Sequence, residues 1–278
     1  MTSLLATHIA KRRATPEHPA EPVTTSPSVW QAPFFALQFL TVVPPIVRRA
    51  PHPDDLGRSE AFFPLVGLLL GGVLALADTL LAAQVAPLVR DVLLVALLAA
   101  MTGALHLDGV IDTFDGLFTG ATPERRLEIM RDPRAGSYGV VAVVLLLALK
   151  LAALASLPPT LRLPALILAP CLGRWGIVLA TGAFAYARPQ GMGRDFKESI
   201  RWRHVLTAGA IALVAAASIA GAVGVLVWTV VGIAVLLGGN WVSGRLGGLS
   251  GDIYGAICET SETAVLAIFG LAVVSALV

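Results

Sequence analysis

The charged residues of this 278-residue chain are gathered in a few short stretches, and long apolar runs separate those stretches. Of the 20 basic and 18 acidic residues, 32 lie within 1–60, 106–137, 188–203 and 245–262. The other six stand singly in apolar sequence: Asp78, Arg90, Asp91, Lys150, Arg162 and Arg174. Backbone exposed to lipid has to satisfy its hydrogen bonds within a helix. The pattern therefore predicts an all-α fold, a polytopic transmembrane helical bundle.

Composition excludes other classes. The chain is 56% hydrophobic and 14% charged, with a mean hydropathy of +0.80, whereas soluble domains are about a quarter charged. The net charge of +2 provides no basic field to attract a polyanion, so a nucleic acid is excluded as a partner. Cys171 and Cys258 form no metal-ligand or disulfide pattern.

The apolar runs occur in pairs with short turns. We predict about seven spans and, at 33–46, a short N-terminal interfacial or re-entrant helix, because a full span needs about 20 apolar residues. The spans are predicted at 62–86, 91–106, 138–157, 164–186, 205–221, 224–239 and 255–277. Residues 1–31 are polar and Pro-rich, which predicts a disordered tail, and 32–278 are expected to form one transmembrane domain.

Basic residues predict the orientation of these spans. From residue 48 onward, thirteen Lys and Arg residues precede the first span or lie in the longer loops, against Arg90 and Arg162 in the short turns. Cytoplasmic loops carry an excess of Lys and Arg. The long loops are therefore expected on the cytoplasmic side of the membrane.

The most informative segment is 106–116, which holds Asp108, Asp112 and Asp115. Their spacing of i, i+4 and i+7 places three carboxylates on one face of a helix. Like charges gathered at a membrane surface are costly, and Mg²⁺ with oxygen ligands would offset them while keeping positions for substrate phosphates. Gly109 and Gly116 are expected to make room for a bulky ligand. The alternative is a polar loop between spans.

A second polar segment covers 122–139. Thr122 is predicted to cap a short helix that Pro133 ends. Asp132, Arg131 and Arg134 then lie at the turn into the third span. Here Gly136 and Ser137 resemble an anion-binding turn, and the arginines could hold a second phosphate oxygen.

The third segment opens the last span with Asp252 and Glu259, two helical turns apart. Acids inside a transmembrane helix suggest a functional site. Alternatively, Asp252 only caps the helix and Glu259 pairs with a buried base such as Arg174. Arg174 itself is predicted to face the bundle and neutralise substrate or acids. His106 is a candidate general base, or it orients an aspartate.

These segments together resemble the cobalamin synthase family, the adenosylcobinamide-GDP ribazoletransferases. The resemblance runs from about Phe34 to the last span. Its motifs stand in order at 39–45, 63–67, 103–109, 112–116, 127–132, 136–139 and 247–252. Residues 110–111 and Phe114 depart from the usual smaller residues, and Phe114 is expected to tighten the pocket.

The resemblance implies a Mg²⁺-dependent transfer of a cobinamide phosphate from adenosylcobinamide-GDP to α-ribazole or its 5′-phosphate, with release of GMP. It implies a metal shell from Asp108, Asp112 and Asp115. Three further acids are expected to complete it: Asp132, Asp252 and Glu259. Arg131 and Arg134 would bind the guanosine-side phosphates. His106 or a carboxylate without metal would accept the proton of the ribazole hydroxyl.

Two other functions remain open. A CDP-alcohol phosphotransferase also clusters aspartates at a helix end, but its pattern fails after Asp108-Gly109. A cation-coupled transporter would place its acids near mid-membrane and in repeated halves. The Gly- and Ala-rich stretch 205–221 is also compatible with close packing in a homo-oligomer.

Overall fold

The computed structural model describes residues 29–119 and 122–274, and this part of the chain is all-α. The sequence prediction of the fold class is therefore confirmed, while most of the predicted tail at 1–31 lies outside the described residues. The helices follow a 3-10 turn at Val29–Gln31. In chain order they are α1 (Ala32–Leu40), α2 (Pro53–Glu60), α3 (Phe63–Leu81), α4 (Pro87–Thr102), α5 (Leu105–Phe118), α6 (Pro123–Ile129), α7 (Ser137–Ser156), α8 (Pro159–Ala183), α9 (Met192–Ser199), α10 (Trp202–Leu246) and α11 (Gly251–Val274).

Within the described residues, four helices are long and apolar enough to cross a membrane, namely α3, α7, α8 and α10. These apolar helices indicate a membrane protein. Helices α4 and α5 pass the same test only as a pair, and they are bent by 91° at the break between them. Helix α1 has nine residues, so the expectation of a short helix near 33–46 is confirmed.

The break between α4 and α5 occurs at two successive left-handed residues, Gly103 (φ 61°) and Ala104 (φ 57°). Such a conformation is uncommon for alanine because its Cβ atom crowds the backbone. The amide of Ala104 closes the end of α4 by donating to the carbonyl of Ala99 at 2.8 Å. The chain then restarts as α5, so the acidic segment lies on a separate helix and not at the end of the predicted second span.

Helix α10 reverses direction at Gly221, whose φ of 57° and ψ of −135° are not helical. A Cβ atom on Gly224 would collide with the carbonyl oxygen of Ala216, and Trp175 reaches both Gly209 and Gly232. These contacts require the two halves of α10 to run side by side. The reversal agrees with the predicted turn between the spans at 205–221 and 224–239.

Helix α8 lies at the centre of the bundle and packs against α3, α10 and α11. Glycines permit close approach on one side, since a Cβ atom on Gly71 would lie 2.5 Å from the carbonyl oxygen of Ile167. On another side, the Trp175 ring stacks on Trp228 with centroids 4.8 Å apart. Small residues at helix contacts are typical of membrane bundles, where packing replaces hydrophobic burial as the driving force.

Four of the six isolated charges form one buried group, which we call the distal ion cluster: Asp78, Arg90, Asp91 and Arg162. The guanidinium of Arg162 donates to Asp78 at 2.8 and 2.9 Å and also to Asp91. Arg90 lies 3.2 Å from Asp78. Two acids and two bases balance one another here, at the ends of α3 and α7 and the starts of α4 and α8.

Candidate active site

Helices α5 and α11 cross at a pair of glycines, and the crossing joins two acidic segments of the sequence. A Cβ atom at Gly109 would lie 2.5 Å from the carbonyl oxygen of Asp252, and one at Gly255 would lie 3.4 Å from the Cα of Gly109. Gly116 packs against the side chain of Met130 in the same way. Gly109 and Gly116 therefore make room for neighbouring protein segments. Gly109 also lines a small cavity beside Asp108 and Asp252, and the approach of a ligand to these glycines stays a prediction.

The crossing assembles what we call the acidic array, namely Asp108, Asp112 and Asp252. Asp108 is exposed and the other two are partly buried. Asp108 and Asp252 both lie close enough to Asp112 to repel its charge. Within the described part of the chain, the side chains of Asp108 and Asp112 make no hydrogen bond or ion pair. Like charges in such a group disfavour one another, so the array favours a cation.

One guanidinium belongs to the site, and the sequence analysis missed it. Arg188 donates to the Asp252 carboxylate at 2.5 Å, while its buried Nε has no hydrogen-bond partner. Two backbone hydrogen bonds of 2.8 Å place it there, from Ala187 to Leu249 and from Leu249 to Ala185. In the sequence, Arg188 is one of several loop arginines, and only this pairing of distant loops distinguishes it.

Asp115 does not join the array. Its carboxylate accepts hydrogen bonds from the backbone amides of Gly136 at 2.7 Å and Gly139 at 2.9 Å, at the start of α7. The prediction that Asp108, Asp112 and Asp115 converge thus holds for two of them. The anion bound at the predicted Gly136–Ser137 turn is therefore the Asp115 carboxylate of the chain itself. Its negative charge is stabilised at the start of α7, the positive end of the helix dipole. Ser137 is exposed beside it.

Asp132 and Arg134 bind each other and not the array. The guanidinium of Arg134 donates to the Asp132 carboxylate at 2.8 and 2.9 Å. These hydrogen bonds lower the pKa of Asp132 from its ordinary value of 3.8 to about 2. Arg134 is largely exposed. Arg131 is exposed too, but it lies near Tyr186, on the same side as Arg188.

Glu259 and Arg174 belong to a second buried group, the central ion cluster, which consists of Lys150, Arg174, Glu259 and Glu262. The Lys150 ammonium donates to Glu259 at 2.6 Å and to Glu262 at 2.7 Å, and Arg174 pairs with Glu262. All four residues are at most 5% exposed. Two acids and two bases again balance. The alternative that Glu259 pairs with a buried base is correct, and that base is Lys150.

His106 connects this cluster to the array. Its Nδ1 lies 3.4 Å from Nη2 of Arg174, which can only donate. Nδ1 therefore acts as the acceptor and Nε2 carries the proton, so the ring is neutral. This contact makes Arg174 an orienting group for His106. Both residues lie behind the array rather than within it.

An apolar groove of about 470 Å³ lies beside α5, between α10 and α11. Phe114 and Phe118 line it from α5 and Trp241 lines it from α10. Phe114 thus lines this apolar groove, and the expectation that it tightens the substrate pocket stays a prediction. The groove gives α5 an apolar surface next to the crossing with α11.

The carboxylate oxygens of the array suit a hard divalent cation that is also coordinated by oxygen atoms of a substrate. Within residues 29–119 and 122–274, no three His, Cys, Asp or Glu side chains are close enough to hold a metal ion by themselves. Mg²⁺ is usually held by one or two carboxylates together with waters and phosphate oxygens. The unpaired carboxylates of Asp108 and Asp112 fit that mode of binding, whereas a closed cage of six acids is not assembled.

An apolar helical bundle with an unbalanced group of carboxylates at one end indicates a polytopic membrane protein with a charged site. The comparisons with known proteins are more specific. The chain belongs to the cobalamin-5-phosphate synthase family, whose family model matches residues 32–270.

Curated relatives agree with this assignment. An adenosylcobinamide-GDP ribazoletransferase of Roseiflexus is 38% identical over 246 residues, which cover 87% of this chain and 91% of the relative. The enzyme of that name from Stutzerimonas stutzeri is 41% identical over 232 residues, 83% of this chain and 94% of the relative. No solved structure matches the chain.

Proposed function

We propose that this protein is an adenosylcobinamide-GDP ribazoletransferase, an enzyme of a late step in cobalamin biosynthesis. It would join the cobinamide phosphate of adenosylcobinamide-GDP to α-ribazole or its 5′-phosphate and release GMP. The names of the relatives support the reaction. The observation that carries the proposal to this chain is the acidic array, where three carboxylates face one guanidinium.

The side chains of the array suit the transfer of a phosphoryl group. Such transfers depend on positioning and charge stabilisation more than on covalent chemistry by the protein. Asp108 and Asp112 would hold Mg²⁺, which when bound neutralises charge on the diphosphate. Arg188, with its free Nε, would bind a phosphate oxygen directly, and Arg131 would approach from the rim. Arg134 is engaged by Asp132 and contributes less.

We also propose the orientation and the number of spans. We count seven crossings. Helices α3, α7, α8 and α11 each give one, the α4–α5 pair gives one, and the two halves of α10 give two. The basic residues of the long loops favour the cytoplasmic side for the array. That side of a bacterial inner membrane would also give the site access to a soluble nucleotide-activated substrate.

The experiment that tests the function uses the purified full chain with adenosylcobinamide-GDP, α-ribazole 5′-phosphate and Mg²⁺. Release of GMP is expected, and chelation of Mg²⁺ or Asp108→Asn is expected to abolish it. Glu198→Gln serves as the matched control, because Glu198 is an exposed acid in an ion pair with Arg194 on α9. Ion flux in vesicles without nucleotide turnover would contradict the proposal and favour a transporter.

A further inference from the structure

A small closed-in cavity of about 130 Å³ lies directly behind the acidic array. Asp108 and Asp252 line one side of it, and His106 lines it from α5. Its remaining polar lining comes from residues that the proposed reaction has not used, namely Glu60 and Tyr254 together with Thr181.

Glu60 is the most unusual residue of this cavity. It ends α2 and is only 1% exposed, yet its Oε2 atom has no hydrogen-bond partner. Burial raises its pKa well above the ordinary value of 4.5. The nearby Lys197 does not pair with it, since the ammonium donates to the carbonyl oxygens of Thr181 and Gly182 at 2.8 and 3.1 Å. An unpartnered buried polar atom of this kind is costly.

Tyr254 presents a second unpartnered atom to the same cavity. The residue is 6% exposed, and its hydroxyl also lacks a hydrogen-bond partner. A carboxyl group and a phenol that face one small space are complementary to a hydroxyl group, which donates one hydrogen bond and accepts another. A ligand hydroxyl would therefore satisfy both residues at once.

We infer that this cavity binds the hydroxyl-bearing ribosyl part of the acceptor substrate, with Glu60 and Tyr254 as its hydrogen-bonding residues. The inference rests on the proposed function. The array at the mouth would be occupied by the diphosphate of the donor, which leaves the cavity behind it for the other reactant.

The test measures the binding of α-ribazole to the full-length protein in detergent by calorimetry, alongside the KM of each substrate. Glu60→Gln keeps the size of the side chain and is expected to weaken α-ribazole binding about tenfold, the upper part of the range for a hydrogen bond between uncharged groups. The KM for adenosylcobinamide-GDP should stay within about twofold on the same reasoning. Tyr254→Phe is expected to weaken α-ribazole binding less, by about fivefold.

Asp55→Asn is the matched control, because Asp55 is a fully buried acid on the same helix that pairs with Arg49 and does not line the cavity. It should leave α-ribazole affinity unchanged. Derivatives of α-ribazole that lack the 2′- or the 3′-hydroxyl complete the test. The wild type should bind one of these derivatives more weakly than it binds α-ribazole. The Glu60→Gln variant should bind that derivative and α-ribazole equally well, because it has already lost the hydrogen bond to the missing hydroxyl.

The outcomes separate this inference from the proposed function. Equal α-ribazole affinity in the wild type and Glu60→Gln would overturn the inference and show that the cavity holds water only, even if GMP is released normally. Glu60-dependent binding of α-ribazole by a protein that releases no GMP would support the cavity assignment and overturn the proposed reaction.

Discussion

The two ends of helix α7 show opposite ways of placing acids in a membrane protein. Near its start lies the acidic array, where three carboxylates face Arg188 alone and two of them have no partner. Near its end lies the distal ion cluster, where Asp78 and Asp91 are fully paired with two arginines. Buried charges that balance one another are tolerated in a fold that loses stability when one partner is removed, whereas an unbalanced group favours a ligand. Charge balance, and not acidity, therefore separates the site from the scaffold.

The largest effect is expected from Asp112→Asn. Removing a charge from the array should lower kcat/KM for GMP release by at least about 100-fold, as is typical when a group that stabilises developing charge is lost. The same change should leave the melting temperature unchanged or slightly higher, because it relieves repulsion from Asp108 and Asp252. A large loss of stability would place Asp112 in the scaffold instead.

The opposite result is expected in the distal ion cluster. Arg162→Met leaves two buried carboxylates without their main partner and should destabilise the protein by about 3–5 kcal/mol. Chemical unfolding in detergent measures this, and Arg162→Lys, which keeps the charge, should lose less. The specific activity of the folded fraction should be unchanged. Loss of activity without loss of stability would show that Arg162 serves the reaction rather than the fold, and would contradict the comparison.

Arg188→Lys sharpens the description of the array. Lysine keeps the charge but lacks the planar fork that can contact Asp252 and a phosphate oxygen together. We expect the KM for adenosylcobinamide-GDP to rise about tenfold, equivalent to about 1.4 kcal/mol. Arg194→Lys is the control, since that arginine pairs with the exposed Glu198. An unchanged KM would show that Arg188 does not bind adenosylcobinamide-GDP.

The smallest effect is expected for Asp132→Asn, although sequence analysis placed Asp132 among the metal ligands. Hydrogen bonds from Arg134 hold its pKa at about 2, below the ordinary 3.8. Its stabilising effect is therefore present above pH 3.8 and is lost only as the pH falls through 2. Activity between pH 5 and 9 should change less than about twofold in the variant, and the pH profile should keep its shape. A new inflection of the pH profile in that range would show that Asp132 takes part in the reaction.

Local patterns in the sequence were sufficient to predict several elements. The apolar runs predict α3, α7 and α8, and the glycines near 221 predict the reversal within α10. The spacing of Asp108 and Asp112 predicts that they share a face. These features depend on helical periodicity and turn chemistry, which act over a few residues.

The partners of the acids could not be predicted in the same way. Asp115 binds amides 21 and 24 residues further along the chain, and Lys150 binds Glu259 at a separation of 109 residues. The left-handed Ala104 has no local signal, since alanine is a strong helix former. Glu60 is inconspicuous in the sequence because only the packing of α2 against the bundle buries it.

The central claim is that Asp108 and Asp112 form the cation-binding end of the site, and the binding of Mn²⁺ as a substitute for Mg²⁺ tests it most directly. Electron paramagnetic resonance can measure protein-bound Mn²⁺ in the presence of adenosylcobinamide-GDP, with the nucleotide alone as the blank. We expect the wild type to bind Mn²⁺ in competition with Mg²⁺, and the double variant Asp108→Asn/Asp112→Asn to lose at least about tenfold in affinity. Equal affinity in the two proteins would contradict the account.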